Sequence, residues 1–222
     1  MTGGYRPRVA LLHQATLTPT KLELLSASIP HQPWVGGATT DLIVLGAYRF
    51  DDPDGEVGIE THLLAAGTTV LQVPVTYRAV PLPGANAALI ATTEHSVLGR
   101  RWVYDATADP VYAAALATAV LYGGTQADID VATDTGLRRR APTTLVTGSG
   151  STSGRFPTWP ATGPLTGTTV ATTTVITAGD LELVVLHVVD RHTTSGPAGA
   201  PTLTGTWPGQ DTPALLGYAR DA

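Results

Sequence analysis

The chain of 222 residues contains no cysteine, one methionine and two phenylalanines. Its only lysine is Lys21 and its only asparagine is Asn86. Without cysteine there is no disulfide, no thiolate nucleophile and no cysteine-ligated metal site. Charged residues make up 14% of the chain and the net charge is −5, which argues against a general nucleic-acid-binding protein. The rare residue types therefore exclude several chemistries before any motif is considered.

Long hydrophobic runs are also absent. No stretch reaches the roughly 18 apolar residues that a membrane-spanning helix needs. Residues 1–10 lack the apolar core of a secretory signal peptide. With 43% hydrophobic residues, the chain can still build a sizeable core. We therefore expect a folded cytoplasmic protein with no membrane or nucleic-acid partner.

The first half of the sequence contains a regular succession of strand and turn patterns. Runs rich in β-branched and aromatic residues are separated by short turn signals, such as residues 51–55 (DDPDG). Connections this short join antiparallel strands, because parallel neighbours need a crossover of about a dozen residues. The patterns predict strands at residues 9–12, 42–50, 56–64, 69–80, 87–93 and 101–104.

Two helices are predicted beside these strands. Thr18 can cap the first helix, with Pro19 in its first turn. Asp109 can cap the second helix, which Pro110 begins and Gly123 ends. The first 124 residues are therefore predicted to form an α+β domain, a curved antiparallel β-sheet with two helices.

The remaining residues, 125–222, are predicted to form a β-rich C-terminal part. Residues 125–140 are polar, and residues 148–154 (GSGSTSG) are typical of a flexible segment. A β-hairpin is expected over residues 168–177 and 181–189, with its second strand in the centre of a sheet because that strand is apolar on both faces. Edge strands are expected at residues 203–207 and 214–219.

Three segments resemble the N-terminal cap of bacterial maltokinases. Residues 29–37 (IPHQPWVGG), with Leu25 before them, are similar to a Leu-Pro-x-Gln-Arg-Trp-aromatic-x-Gly pattern of the cap. Residues 70–78 (VLQVPVTYR) are similar to a cap strand that ends in a Pro-Leu-x-x-Arg pattern. Residues 102–111 contain WVYDA and then DPV, which resemble the strand–helix junction that closes the cap. The order and spacing of the three segments agree over residues 20–124.

In that family the enzyme uses ATP to phosphorylate maltose at C1, and the cap sits on the nucleotide-binding lobe without carrying the phosphotransfer residues. The resemblance therefore implies the fold of the cap and a link to the metabolism of maltose, trehalose and glycogen. Pro33 stands where the cap usually has arginine, and Ala38 follows the glycines where a basic residue is common. The second half resembles a kinase small lobe more weakly, as a vestigial form of it.

A working kinase site is not expected. In a kinase small lobe, the second strand of the hairpin carries a lysine that pairs with the ATP phosphates, and Val184 stands nearest to that position here. No lysine follows Lys21, and Asn86 lies upstream of where the magnesium-binding asparagine would be. The chain also ends before a large lobe could form. We therefore expect a protein that is not an enzyme and has no catalytic residue, cofactor or metal.

A few residues are candidates for binding a ligand or a protein partner: Trp34, Arg78, Arg100, Arg101, Trp159 and Trp207. The neighbours Arg100 and Arg101 could bind a phosphorylated ligand or an acidic partner surface. Their presence is equally well explained as surface charge that keeps the protein soluble. Trp34 and Trp102 are expected to pack in the core, whereas Trp159 and Trp207 are expected to be partly exposed.

Other polar groupings have simpler interpretations. Glu60 and His62 share a strand face and could form an acid/base pair, but a solvated surface is the preferred interpretation. A catalytic triad around Ser96 lacks the Gly-x-Ser-x-Gly elbow. Asp190 and His192 could ligate a metal, but no third ligand follows at a recognisable spacing.

Two functions fit these observations best. The first is a non-catalytic cap-like protein that binds or regulates a separate sugar kinase or glucan enzyme, or that forms a homodimer. The second is a stand-alone protein that binds a sugar or phosphosugar on the concave face of the sheet. An enzyme of unrelated mechanism, using a carboxylate or histidine of the sheet, is the third and least favoured.

Overall fold

The computed structural model describes residues 10–13, 15–36, 41–133, 136–151 and 163–222. Within these ranges the chain is mostly antiparallel β-sheet with two short α-helices, α1 (Lys21–Ser28) and α2 (Pro110–Tyr122). The strands of the described residues are, in chain order, β1 (Ala10–His13), β2 (Leu17–Thr18), β3 (Ile43–Phe50), β4 (Gly58–Ala66), β5 (Thr69–Arg78), β6 (Leu89–His95), β7 (Gly99–Asp105), β8 (Ile129–Thr133), β9 (Gly136–Arg140), β10 (Leu145–Gly148), β11 (Gly167–Val170), β12 (Thr173–Ala178), β13 (Leu181–Leu186), β14 (Val188–Val189), β15 (Thr202–Trp207) and β16 (Gln210–Asp221).

The strands form three sheets. The N-terminal sheet has the order β2-β6-β7-β5-β4-β3, and β14 also pairs with β5. The C-terminal sheet has the order β10-β15-β16-β13-β12-β11. In the small third sheet, β8 lies between β1 and β9, and β1 runs parallel to β8. The other strand pairs of the described residues are antiparallel.

The predicted α+β architecture of the first half is confirmed. Strands β3 to β7 follow one another where the turn signals place them, and each pairs antiparallel with its neighbours. At the start of α2 the Asp109 side chain accepts a hydrogen bond from the Val111 amide, and Pro110 is the first helical residue. Gly123 ends the helix in the left-handed conformation, with φ 68°. Local capping signals were therefore sufficient to define α2.

The first helix begins later than predicted. Thr20, not Thr18, caps α1: its hydroxyl accepts from the Glu23 amide, and the Glu23 carboxylate accepts from the Thr20 amide. This reciprocal pair is a capping box. Thr18 cannot serve as the cap because it belongs to β2, where it pairs with Glu94 of β6.

The C-terminal part is β-rich, as predicted, and its hairpin is confirmed as β12 and β13, with β13 inside the sheet. The expected edge strands are wrong, because β15 and β16 are both interior strands. They form a hairpin around Pro208 and Gly209, and each also pairs with an outer neighbour. Strands β8 and β9, within the polar stretch 125–140, were not predicted. The vestigial kinase lobe stays a prediction.

The glycine- and serine-rich stretch at 148–154 is packed rather than flexible over its described residues, 148–151. Gly148 donates its amide proton to the carbonyl of Gly124, and Gly150 donates to the carbonyl of Val120. A Cβ atom on Gly148 would overlap the carbonyl of Ala119, because the two backbones lie so close. Glycine is needed here for close approach to the end of α2, not for chain flexibility.

The main core lies between the two large sheets. It joins Ile59 and Leu63 of β4 to Leu116 of α2 and to Leu183 and Leu216 of the C-terminal sheet. A second core lies on the other face of the N-terminal sheet, where α1 packs against it. Residues from both sides of position 124 therefore share one core. The division into two domains at that position stays a prediction.

Gln72 of β5 connects the two large sheets. Its side-chain amide donates to the carbonyls of Leu186 and Leu216, at 2.8 Å each, and accepts from the Tyr48 hydroxyl at 3.0 Å. Gln72 is 1% exposed, and these bonds satisfy the two donors of its amide nitrogen. The middle of β5 is therefore fastened to the C-terminal sheet by a fully buried polar side chain.

Candidate functional site

A cluster of polar side chains lies on the face of the N-terminal sheet that α1 partly covers. Glu60 of β4 lies opposite Arg49 of β3, and Gly58 of β4 lies opposite Tyr77 of β5. Side chains of paired residues project from the same face of a sheet. Lys21, the first residue of α1, contacts Glu60 on this face of the sheet and completes the cluster.

The centre of this cluster is an ion pair between Lys21 and Glu60. The Lys21 ammonium donates a short hydrogen bond to Glu60 Oε2, and the Glu60 side chain is only 10% exposed. The same ammonium lies 5.7 Å from the centre of the Tyr77 ring, within the range of a cation–π contact. The only lysine of the chain is therefore held between a buried carboxylate and an aromatic face.

Glu60 is held in its charged form. Burial by itself disfavours the charged carboxylate, but the nearby His62, Lys21 and Arg49 side chains outweigh burial and lower the pKa of Glu60 to about 2. Glu60 and His62 are 8% and 5% exposed. Their interpretation as solvated surface is therefore wrong, because α1 lies over this part of the strand.

His62 is a buried histidine with an unused ring nitrogen. Burial lowers the pKa of His62, although the negative charge of Glu60 opposes that shift. Its Nε2 atom lies 3.7 Å from Glu60 Oε2 and has no hydrogen-bond partner among the described residues. A buried polar atom without a partner is costly, so the His62 ring is a polar group whose hydrogen bonding the described residues leave incomplete.

We expect Glu60 to make the stability of the protein depend on acid pH. In the unfolded chain Glu60 takes up a proton near its ordinary pKa of 4.5, whereas in the folded chain it does so only near 2. Its contribution, about 3 kcal/mol at most, is thus complete above pH 5 and is lost as the pH falls from 5 towards 2. Chemical unfolding at a series of pH values measures this loss. The Glu60→Gln variant should be less stable at pH 7 and show a smaller loss below pH 5; parallel curves for the two proteins would contradict the assignment.

Two adjoining cavities open beside the ion pair. The smaller, about 140 Å³, is lined by a set of charged and aromatic side chains: Lys21, Arg49, Glu60, Tyr77, His95 and Arg101. The larger, about 650 Å³, lies on the other side and is lined by polar and aliphatic groups that include Thr16, Glu60, His62 and Arg140. Both cavities are lined by Lys21 and Glu60, which form a shared wall. Together they make a cleft beneath the start of α1.

Arg78 forms an ion pair with Asp109 inside the protein. Its Nε and Nη2 atoms donate to the two carboxylate oxygens of Asp109, each at 2.7 Å, and the Thr76 hydroxyl adds a bond of 2.8 Å. Asp109 is completely buried, and one of its oxygens also caps α2 by accepting from the Val111 amide. The structure therefore gives Arg78 a structural contact; its role in binding a ligand or partner stays a prediction.

The two arginines at 100 and 101 lie on opposite faces of β7. Arg100 is exposed and donates to the Glu94 carboxylate at 2.8 Å. Arg101 is half-buried and lines the smaller cavity. Among the described residues, neither Arg101 nor Arg49 has a carboxylate within ion-pair distance. Arg101 is the predicted binding residue that the structure brings to the cleft.

The tryptophans differ in their surroundings. Trp34 is 3% exposed, as expected for the core, and its ring stacks on His187 with centres 4.5 Å apart. Trp102 is half-buried against a small core cluster. Trp207 was expected to be partly exposed, which is wrong: it is 4% exposed because β15 lies inside the C-terminal sheet. Trp159 lies outside the described residues.

Other polar groups serve local structure. The Ser96 hydroxyl accepts from the Thr16 amide, which fixes the loop before α1. The Asp190 carboxylate accepts from the His192 amide and the Thr193 hydroxyl, and so closes a turn. Within the described part of the chain, no three histidine or acidic side chains cluster as metal ligands would. None of its helices is long and apolar enough to cross a membrane.

Only part of the cleft could be predicted from the sequence. Arg101 was predicted to bind a ligand and Glu60 with His62 was considered as an acid/base pair, but Lys21, Arg49 and Tyr77 were not predicted to belong to a site. Two signals were present: the single lysine, and the alternation that puts Arg49, Glu60 and Tyr77 on one sheet face. Neither signal shows that a helix will cross this face and enclose the cluster.

The N-terminal sheet is a curled antiparallel sheet with α1 packed on one face and α2 on the other, which is an α+β architecture. Residues 29–109 match the family model of the maltokinase N-terminal cap domain, which confirms the resemblance over that segment. The matched segment includes Glu60, Tyr77 and Arg78 and ends at the residue that caps α2. No curated protein matches the chain.

Proposed function

We propose that this chain is a non-catalytic, cap-like binding protein that serves the metabolism of maltose, trehalose and glycogen. The observation that carries the proposal is the combination of the cap match at residues 29–109 with the position of the only lysine. A kinase-type reaction needs a lysine to hold the phosphates of ATP. Lys21 lies in α1, where its ammonium is paired with the buried Glu60 carboxylate. The chain therefore contributes binding rather than phosphotransfer.

A phosphotransfer assay tests the non-catalytic part of this proposal. The chain, mixed with magnesium, radiolabelled ATP and either maltose, trehalose or glucosamine, should transfer no label above the level without protein. An active maltokinase in the same buffer is the positive control. The proposal would be overturned if the chain transferred label to a sugar, if the Lys21→Met variant lost this transfer, and if the Glu94→Gln variant kept it. Such a result would show that the chain is a kinase.

In the first form of the function, the bound molecule is a protein, either a separate sugar kinase or glucan enzyme or a second copy of this chain. The edge strand β3 supports this form, because its first two residues, Ile43 and Val44, are 64% and 53% exposed. Exposed aliphatic side chains on a sheet edge favour pairing with another chain.

Affinity capture from the lysate of the source organism tests this form. We expect mass spectrometry to identify an enzyme of maltose, trehalose or glycogen metabolism, or the chain itself. Ile43→Glu should reduce the capture, whereas Val170→Glu, on the edge of the C-terminal sheet and 59% exposed, should not. A capture that recovers known complexes but no such enzyme, from a chain that is monomeric in solution, would contradict the protein-partner form.

In the second form, the chain binds a small sugar or phosphosugar. The cleft beneath α1 supports this form, because its larger cavity, about 650 Å³, lies within the usual size range of ligand sites. A thermal-shift screen with maltose, trehalose, glucosamine and nucleotides separates the two forms. A rise in melting temperature with one of the sugars supports direct binding, and no rise with any of them favours the protein partner.

A further inference from the structure

The smaller cavity of the cleft carries an excess of positive charge. Three of the side chains that line it are cations, Lys21, Arg49 and Arg101, and one is an anion, Glu60. Lys21 and Glu60 neutralise each other in their ion pair. Two guanidinium groups therefore remain to face one small cavity, in a chain whose net charge is −5. Two guanidiniums that have no carboxylate within ion-pair distance among the described residues match a ligand group with about two negative charges, which is the charge of a phosphate monoester at neutral pH.

The shape of the smaller cavity leaves room for such a group. Gly58 is one of its lining residues, and a Cβ atom there would lie 3.3 Å from Arg49 Nη2 and 3.4 Å from Tyr77 Cβ. Any larger residue at this position would take the space between the two side chains. Tyr77 keeps its hydroxyl proton, because burial and the charge of Glu60 raise its pKa well above the usual range. The Tyr77 hydroxyl is therefore a hydrogen-bond donor and adds no negative charge.

The larger cavity has the groups that recognise hydroxyls. The ionised Glu60 accepts hydrogen bonds, and the buried His62, which also lines this cavity, has a ring nitrogen without a partner among the described residues. Thr16 and Arg140 also line this cavity. Apolar side chains such as Leu22 and Leu25 complete the lining. Convergent polar groups on an aliphatic wall are typical of a site for a small polyhydroxylated molecule.

We propose that the cleft beneath α1 binds a phosphorylated sugar, with the phosphoryl group against Arg49 and Arg101 and the sugar ring against Glu60 and His62. The Lys21–Glu60 ion pair lies between the two parts of the ligand. This proposal rests on the small-molecule form of the proposed function, and it names the ligand class and the residues that bind each part.

Isothermal titration calorimetry tests the assignment with four probes: glucose 1-phosphate, glucose 6-phosphate, glucose and inorganic phosphate. At least one glucose phosphate should bind about tenfold more tightly than glucose or phosphate alone, because only the ester uses both cavities. Raising the salt concentration should weaken this binding, since the guanidiniums supply its charge.

Three substitutions place the ligand in the cleft. Arg49→Gln and Arg101→Gln should each weaken the binding of the glucose phosphate about tenfold or more, because each removes a charge-assisted hydrogen bond. Arg100→Gln is the matched control: it is the neighbour of Arg101 on the other sheet face, and its binding constant should stay within about twofold. Circular dichroism melting confirms that all three variants fold.

The possible failures are distinguishable. If a glucose phosphate binds and neither Arg49→Gln nor Arg101→Gln weakens it, the ligand lies elsewhere, so the site is wrong while the small-molecule function stands. If inorganic phosphate binds as tightly as the sugar phosphates, the cleft is a simple anion site and the sugar part is wrong. If no probe binds, the assignment of a sugar phosphate to the cleft is wrong, and the thermal-shift screen with maltose, trehalose, glucosamine and nucleotides still decides the small-molecule form.

Discussion

Replacing Arg78 with alanine should destabilise the protein by about 3–5 kcal/mol, the largest effect that we expect from any single polar side chain here. The substitution leaves the carboxylate of Asp109 fully buried without its cation, beside only the Thr76 hydroxyl and the amide that it caps. Because Asp109 also begins α2, the loss weakens both the β5–α2 contact and the helix start. Urea unfolding measures the change, and the melting temperature should fall by roughly 10 °C.

Two further variants separate charge from geometry. Arg78→Lys keeps the positive charge but cannot make two parallel bonds, so it should lose part of this stability. Arg100→Ala, which breaks an exposed ion pair with Glu94, should cost less than about 1 kcal/mol. If Arg78→Ala were as mild as Arg100→Ala, the bidentate pair would not be a stabilising contact.

Gly148→Ala should also destabilise the protein. The added Cβ would overlap the carbonyl of Ala119 in the last turn of α2, where backbone atoms cannot rotate away. Overpacking of this kind costs about 1–3 kcal/mol and sometimes more. The strand β10 would have to move from α2, which would break the hydrogen bond from the Gly148 amide to the carbonyl of Gly124. Chemical unfolding and amide hydrogen exchange in α2 and β10 measure the effect.

Gly36→Ala is the matched control for this prediction. Gly36 is exposed, and a Cβ atom there meets nothing within 4 Å. Alanine at such a position should change the stability by less than about 0.5 kcal/mol. Equal stability of the two variants would mean that residues 148–151 are the flexible segment that their composition indicates.

The contrast between α2 and residues 148–151 shows what the sequence could predict. Helix α2 carries its signals within itself, since Asp109, Pro110 and Gly123 fix its ends by local hydrogen bonding and backbone conformation. The strands of the N-terminal sheet are likewise bounded by turn residues. Gly148 and Gly150 lie in a segment whose glycine- and serine-rich composition is that of a flexible linker. They pack closely only because α2 approaches them in the folded chain. A contact between distant parts of the chain cannot be predicted from a local sequence pattern.

The cleft also depends on contacts between parts of the chain that are distant in the sequence. Alternation on β4 places Glu60 and His62 on one face, but it does not show that this face is covered as well as the opposite one. The helix α1 covers it, by packing on this face of the sheet and bringing Lys21 to Glu60. Trp207 is a further example, because its strand β15 has one neighbour close in the chain, β16, and another, β10, more than 50 residues earlier. The sequence shows which side chains are present, whereas the burial of these side chains depends on contacts that form only in the folded chain.

The buried amide of Gln72 has a consequence for motion. It holds β5 to two carbonyls of the C-terminal sheet, and β5 also carries Tyr77 at the cleft and Arg78 at the start of α2. Sliding one sheet over the other would break both amide bonds at once and open the core around α2. Sliding of the two large sheets is therefore opposed at the middle of β5. A ligand beneath α1 would meet a rigid platform, and any adjustment to it would fall to α1 and to the side chains that line the cleft.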